Sequence, residues 1–257
     1  MRRVSIATFS HYPAIPPPLE VPLFTEPGHA CAYLPGRTAR FRSLLVRRLP
    51  ASIYQGFMDA GFRRSGKVIY QPACPGCRAC QPLRVVVERF APSKSQRRCW
   101  RDNQDLRVEV AAPAPSDEAF ELYKRYLDGW HERDSAEQTR ESFEQFLYDS
   151  PVNSLEFRYR DEAGALLAVG ICDVLREALS SVYFFFDPRQ RGRGLGNFGA
   201  MYEIEYARTR AMPHYYLGYW INGCAKMQYK NRFEPYELLG TDGQWRAPEQ
   251  ASGDEPD

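Results

Sequence analysis

Along this chain, runs rich in valine, isoleucine and aromatic residues alternate with polar breaks, and their order predicts a mixed α/β (α+β) architecture. Residues 11–35 carry seven prolines, including Pro16-Pro17-Pro18, which fix φ and remove amide donors, so an extended leader precedes the first regular element. Pro50 to Gly61 reads as a short helix, with proline in its first turn and glycine at its stop. Lys67 to Tyr70 and Leu83 to Phe90 read as strands on either side of a cysteine loop. Further on, Ser116 with Asp117 and Glu118 opens a helix to about Trp130, and Thr139 with Glu141 opens another to about Tyr148; both have acidic first turns. Leu155 to Arg160, Leu166 to Val174 and Leu179 to Phe186 then predict an antiparallel meander, with a turn at Asp161 to Gly164. A long helix from Leu195 to Arg210, a strand at His214 to Trp220, a helix at Gly223 to Lys230 and a strand at Tyr236 to Leu239 complete the pattern.

The 257 residues, 44% of them hydrophobic, suffice for a sizeable core. No run of about 18 apolar residues occurs, and Met1 to Ser10 has neither an apolar stretch nor a small-residue cleavage site, so a cytoplasmic location with no membrane partner is expected. The formal net charge of +2 conceals a division: residues 1–110 hold 18 Lys+Arg against 7 Asp+Glu, while residues 111–257 hold 16 against 25. A basic surface concentrates polyanions, which makes nucleic acid a natural partner for the front half; a solvated Arg-rich surface is the plainer alternative.

The element order, with a glycine turn opening the long helix, resembles a Gcn5-related acetyltransferase-like mixed sheet with flanking helices. The implied organisation is a basic N-terminal region over 1–110, an acetyltransferase-like domain over 111–240 and a disordered tail over 241–257. Arg191-Gly192-Arg193-Gly194-Leu195-Gly196 fits the R-x-x-G-x-G pattern in which glycines let backbone amides approach phosphate at a helix start, with Arg189, Arg191 and Arg193 adding charge. A tight turn without a ligand is the alternative.

Seven cysteines without an export signal suggest thiols or metal ligands rather than disulfides. Cys74, Cys77 and Cys80 recur at two-residue intervals, and Cys31 offers a fourth ligand for a structural zinc or iron–sulfur centre, although no cofactor is required by the chemistry. A reduced Pro-Gly turn is equally compatible with the spacing.

Seven segments together carry a family resemblance: Cys31–Arg37, Gly61–Gly66, Tyr70–Arg84, Phe90–Arg98, Ser180–Pro188, Tyr216–Trp220 and Cys224–Pro235. They resemble the arginyl- and leucyl-tRNA–protein transferases over roughly residues 25–240. Their form is most similar to the bacterial aspartate/glutamate leucyltransferase branch. One departure is Leu34, which stands where eukaryotic relatives have a second cysteine.

The resemblance implies aminoacyl-tRNA, leucyl-tRNA above all, as donor and proteins beginning with Asp or Glu as acceptors, with the product marked for degradation. Arginyl transfer, acetyl-CoA-dependent N-acetylation and non-catalytic, metal-stapled RNA binding are the other readings. In aminoacyl transfer an α-amine attacks an ester that is already activated. With a pKa of about 7.7–8.0, part of the amine is neutral at pH 7, so orientation and oxyanion donors suffice without a strong base. The histidines at 11, 29, 131 and 214 form no evident triad. Lys94, Arg97, Arg98 and Arg101 share two turns of a predicted helix and are candidates for tRNA phosphate. Arg78 and Arg84 are candidates for the acceptor's acidic side chain. Tyr183, Tyr219, Asn222 and Lys226 border predicted strand ends near the glycine turn, where they are candidates for positioning the ester or the oxyanion, and Lys226 and Lys230 are expected on one helix face.

Overall fold

A computed structural model describes residues 2–6, 19–131 and 134–248. In chain order the front half runs β1 (Arg2–Ile6), β2 (Leu19–Thr25), β3 (His29–Ala30), β4 (Thr38–Ala39), β5 (Phe41–Leu45), α1 (Ala51–Asp59), β6 (Arg63–Ser65), β7 (Val68–Pro72), β8 (Gln81–Val86), α2 (Lys94–Arg101) and β9 (Arg107–Ala111). The rear half follows with α3 (Asp117–His131), α4 (Arg140–Leu147), β10 (Ser154–Arg160), β11 (Leu166–Val174), β12 (Ala178–Phe186), α5 (Leu195–Thr209), β13 (His214–Trp220), β14 (Tyr236–Leu239) and β15 (Trp245–Arg246). Of the proline-rich leader, Leu19–Thr25 is a strand; residues 7–18, with the triple proline, lie outside the described residues.

Two sheets organise the molecule. One has the order β1-β2-β5-β7-β6, and the other β15-β14-β8-β13-β12-β11-β10-β9. The predicted meander is the β10-β11-β12 part of the larger sheet, antiparallel throughout, and the long α5 connects β12 to the parallel β13. This is the mixed sheet with flanking helices expected from the element order. β8 and β9 also belong to it, so the boundary drawn near residue 110 runs along this sheet rather than between two bodies. The main core gathers Phe157, Tyr159, Val169, Ile171, Phe185, Leu122, Phe143, Phe198 and Ile204 between the sheet and helices α3, α4 and α5. A second core, with Tyr54, Phe57, Met58 and Phe62, joins the smaller sheet to Leu175, Ala178 and Tyr216 of the larger.

The feature that positions the site is a parting of strands. β12 and β13 pair only through Ala178–Ser180 and His214–Tyr216; beyond that point β12 stays with β11, while β13 stays with β8. Although β12 is central in its sheet, Ser181 to Phe184 are only partly buried, because no strand covers that side.

Three local expectations are corrected. β8 ends at Val86, and Val87–Arg89 form a 3-10 turn, because Arg208 of α5 donates to the carbonyls of Val87 and Phe90 and draws the chain out of the sheet. The helix expected at Gly223–Lys230 is a series of turns ending in a 3-10 segment at Gln228–Arg232. So short a segment gains too little from its own hydrogen bonds to nucleate, and Gly223 starts it at φ +75°. Finally, Trp245–Arg246 pair with Leu238–Leu239 and Trp245 Nε1 donates to Asp59 O, so order continues past Thr241; residues 249–257 lie outside the described residues.

Candidate functional site

Two cations meet where β12 and β13 part. β6 follows Gly61, whose φ of +82° turns the chain out of α1, and it presents Arg63 and Arg64 to opposite sides of the strand. Arg63 enters the parting, where its guanidinium donates to Ser180 Oγ at 2.8 Å and to Ser181 O. Lys230 enters from the 3-10 segment and donates to Tyr219 O at 2.7 Å. A side-chain carbon at Gly218 would lie 3.4 Å from both cationic groups, and Gly218 itself sits at φ +86° beside the β13 bulge. Burial, with Arg63 beside it, brings the Lys230 ammonium down to about 7. Tyr33 and Tyr229 are 40% and 42% exposed. Burial pushes the Tyr229 phenol up to about 12, with Arg63 opposing the shift.

The glycine turn lies at the end of the same strand. Pro188–Arg193 form a 3-10 turn, and Gly194 adopts the left-handed conformation, φ +68°, from which α5 starts. A Cβ at Gly192 or Gly196 would meet nothing within 4 Å, so the protein's own packing does not demand glycine there; an approach by backbone to a ligand would use that space. Arg191 is exposed. Arg189 pairs with Asp187 at 2.5 Å, and Arg193 with Asp105 and Asn103. Arg193 thus fastens the turn.

What it fastens the turn to is α2. Ser93 caps this helix and Gln96 reciprocates in a capping box, which fixes the start of an otherwise strongly polar helix. One face, carrying Lys94, Arg97, Arg98 and Arg101 with Ser93 and Ser95, lines an open groove of about 630 Å³. From the other face, Cys99 Sγ lies 3.5 Å from Arg193 O and Gly194 O, and Asn103 Nδ2 donates to Arg193 O at 2.9 Å. The cationic helix and the glycine turn, some ninety residues apart in sequence, form one joint.

Other predicted residues are placed differently. Arg84 is held by Asp59 and Glu237 and lies 4.4 Å over the Trp245 ring, so it is an internal tie rather than a free receptor for an acceptor carboxylate. Arg78 is exposed beside the cysteine loop. Tyr183 is half-buried in a ring cluster with Tyr123, Tyr126 and Phe146, which makes it part of the core wall. The Tyr219 hydroxyl donates to Gly61 O, and its carbonyl takes Lys230. Asn222 and Lys226 are exposed just beyond β13; with the expected helix absent, Lys226 and buried Lys230 share no face.

The cysteines do gather. Cys80 is pushed up to about 11, first by burial and then by Cys74, Cys31 and Cys77 nearby. Cys74 Sγ instead engages the Arg40 backbone, at 3.4 Å from its amide. Among the described residues no three His, Cys, Asp or Glu side chains are arranged to hold a metal ion, so the thiols as placed do not fit the zinc or iron–sulfur centre expected from their spacing.

Arg63 escaped the site assignment made from sequence. Within Gly61–Gly66 two adjacent arginines look alike, and only the strand's alternation, once its neighbours are known, separates one that enters the cleft from one that is structural.

Comparison with known proteins places this chain in a family. FemX, among solved structures, aligns with a TM-score of 0.47 at 10% identity over 72% of this chain and 65% of that one. The family models described as the N terminus and C terminus of arginine-tRNA-protein transferase match residues 29–98 and 118–240. An aspartate/glutamate leucyltransferase from Halorhodospira halophila is 44% identical over 224 residues, covering 86% of this chain and 94% of the relative. One from Saccharophagus degradans is 38% identical over 228 residues, covering 88% and 96%. Chains that share this much sequence over nearly their whole length share a fold and its chemistry: this protein belongs to the arginine-tRNA-protein transferase family, among the aspartate/glutamate leucyltransferases, and is an aminoacyltransferase.

Proposed function

We propose that this enzyme takes leucine from leucyl-tRNA and attaches it to proteins that begin with Asp or Glu, marking them for degradation. The observation that carries the reading is the joint between the cationic face of α2 and the glycine turn, at the end of the strand that opens the cleft. Phosphates of the acceptor stem would lie along Lys94, Arg97, Arg98 and Arg101. The amides and open space at Gly192 and Gly196, with Arg191, would take the acceptor end, and exposed Asn222 and Lys226 border its path. The ester then reaches the parting between β12 and β13.

There the acceptor's neutral α-amine attacks the ester carbonyl. A C–N bond forms, the carbonyl oxygen becomes an oxyanion, and collapse re-forms the carbonyl and breaks the C–O bond; the one proton that the amine nitrogen gives up ends on the departing ribose oxygen, directly or relayed by water. Holding both reactants in one cleft makes the step effectively unimolecular, a gain of up to ~7–11 kcal/mol. The arginine in the family description keeps arginyl-tRNA as the second donor to test.

Purified protein incubated with labelled leucyl-tRNA or arginyl-tRNA and peptides beginning Asp, Glu or Ala is expected to label only the acidic-start peptides, and from leucyl-tRNA. Label drawn only from arginyl-tRNA reassigns the donor. Transfer indifferent to the first residue removes the acceptor reading.

A further inference from the structure

Among the described residues three cations are buried, and one of them has a carboxylate partner. Arg64 makes a two-pronged pair with Asp173, at 2.7 and 2.8 Å, with both side chains fully buried. Arg84 is held between Asp59 and Glu237. Arg63 and Lys230, 8% and 9% exposed, are bonded to neutral oxygens: Ser180 Oγ, Ser181 O and Tyr219 O. Among the described residues no carboxylate pairs with either. Two like charges held side by side away from water are unfavourable unless an anion joins them.

We propose that Arg63 and Lys230 form the receptor for the side-chain carboxylate of the acceptor's N-terminal Asp or Glu. The assignment rests on the acceptor reading given above. It follows from where the pair sits and from what it has left to give. On the β12 side Ser181 to Phe184 are only partly buried where β13 no longer pairs with them, and this is the side from which a chain terminus would enter. Gly218 removes the side chain that would otherwise fill the space between the two heads. A guanidinium has five N–H donors in a planar fork and an ammonium three, so both retain donors after their bonds to the protein. A fork beside a point charge matches a carboxylate.

The phosphates of the tRNA have another place to go, the solvent-facing groove on α2, where charge is hydrated and dispersed along the helix. A buried pair also explains discrimination. An Asn or Gln start would leave both cations without a counter-charge after water is displaced, whereas Asp or Glu completes them. Gly61–Gly66, which supplies Arg63, and Cys224–Pro235, which supplies Lys230, thereby acquire one shared task.

The test compares kcat/KM for peptides beginning Asp and Asn, in wild type and in Lys230→Met. Wild type is expected to prefer Asp, and the variant to lose about thirtyfold or more of that preference through the KM for the Asp peptide, with the KM for leucyl-tRNA unchanged. Its thermal midpoint should match or exceed wild type, since one of two repelling charges is gone. Arg63→Lys, which keeps the charge but not the fork, should lose part of the preference; with Lys230→Gln it also carries the comparison if Lys230→Met does not fold. Equal loss on Asp and Asn peptides assigns the pair to the oxyanion and overturns the proposal. A raised KM for leucyl-tRNA with the preference intact assigns it to phosphate and does the same. Wild-type transfer that ignores the first residue overturns the acceptor reading and this receptor with it, whereas an acidic preference that survives Lys230→Met overturns the receptor alone.

Discussion

At the scale of single residues, the two most informative groups are titratable side chains held away from water. Lys230 titrates near 7 in the folded protein against an ordinary 10.5: burial is the main cause, Arg63 from β6 adds to it, and Cys80 from the loop before β8 opposes it. The folded state therefore sheds this proton earlier than the unfolded chain. Its contribution makes stability rise between pH 7 and about 10.5, at up to ~1.4 kcal/mol per pH unit. Glu203 behaves oppositely. Burial beneath Gly170 and Phe184 raises its carboxyl from 4.5 to about 7, against hydrogen bonds from Tyr215 and Cys172 that lower it. The stability tied to its proton is present below 4.5 and is lost as pH climbs through 7. Denaturation midpoints across pH 5–9 check both signs. Lys230→Met should remove the rise above pH 7, and Glu203→Gln should gain on wild type from pH 5 to about 7 and then level off. A Lys230→Met profile parallel to wild type would show that the ammonium stays charged.

At the scale of elements, α2 is largely legible in the sequence. Lys94, Arg97, Arg98 and Arg101 recur at helical spacing, and the structure adds the Ser93–Gln96 capping box. That its other face is bonded to the glycine turn is not legible there, because a meeting across ninety residues depends on how α5 and α2 pack. Replacing Arg97 and Arg98 by Ala should lower the slope of log affinity for tRNA against log salt by about 0.7–0.9 for each phosphate no longer neutralised, read by binding titrations at several salt concentrations. An unchanged slope would remove this face from the RNA surface. The opposite lesson comes from Gly223–Lys230, where residue types compatible with helix produced turns: Lys230 is drawn to the Tyr219 carbonyl, a tertiary interaction stronger than weak local propensity. On α5, Gly199 is a packing glycine, since a Cβ there would run into the Phe184 ring. Gly199→Ala should therefore cost about 1–3 kcal/mol of stability by overpacking, despite alanine's better helix propensity, measured as a shift in denaturant midpoint.

At the scale of the whole molecule, the cleft exists because two sheets are clamped together. Asp173 of the larger sheet receives Arg64 from the smaller one, the Tyr54 hydroxyl from α1 and the Ser154 hydroxyl from β10. Adjacent Arg63 is carried into the cleft by the same strand, so the clamp also aligns the site. Asp173→Asn leaves Arg64 buried without its counter-charge and should cost about 3–5 kcal/mol in chemical denaturation. The double change Arg64→Met with Asp173→Leu should cost less, because no orphaned charge remains. If Asp173→Asn alone is neutral, the pair does not hold the sheets together.

What the sequence determined by itself is what local chemistry and pattern encode: the meander, the long helix after a glycine turn, the basic helix and the family they resemble. These depend on residue type at short spacing, where backbone sterics and burial periodicity act. The tertiary structure alone decided that Arg84 is an internal tie, that Lys230 is buried, and that Arg63 rather than Arg64 enters the cleft. Each of those turns on which groups meet across long stretches of chain. A charge surrounded by carboxylate and the same charge surrounded by carbonyls are one letter in the sequence and two different functions in the fold.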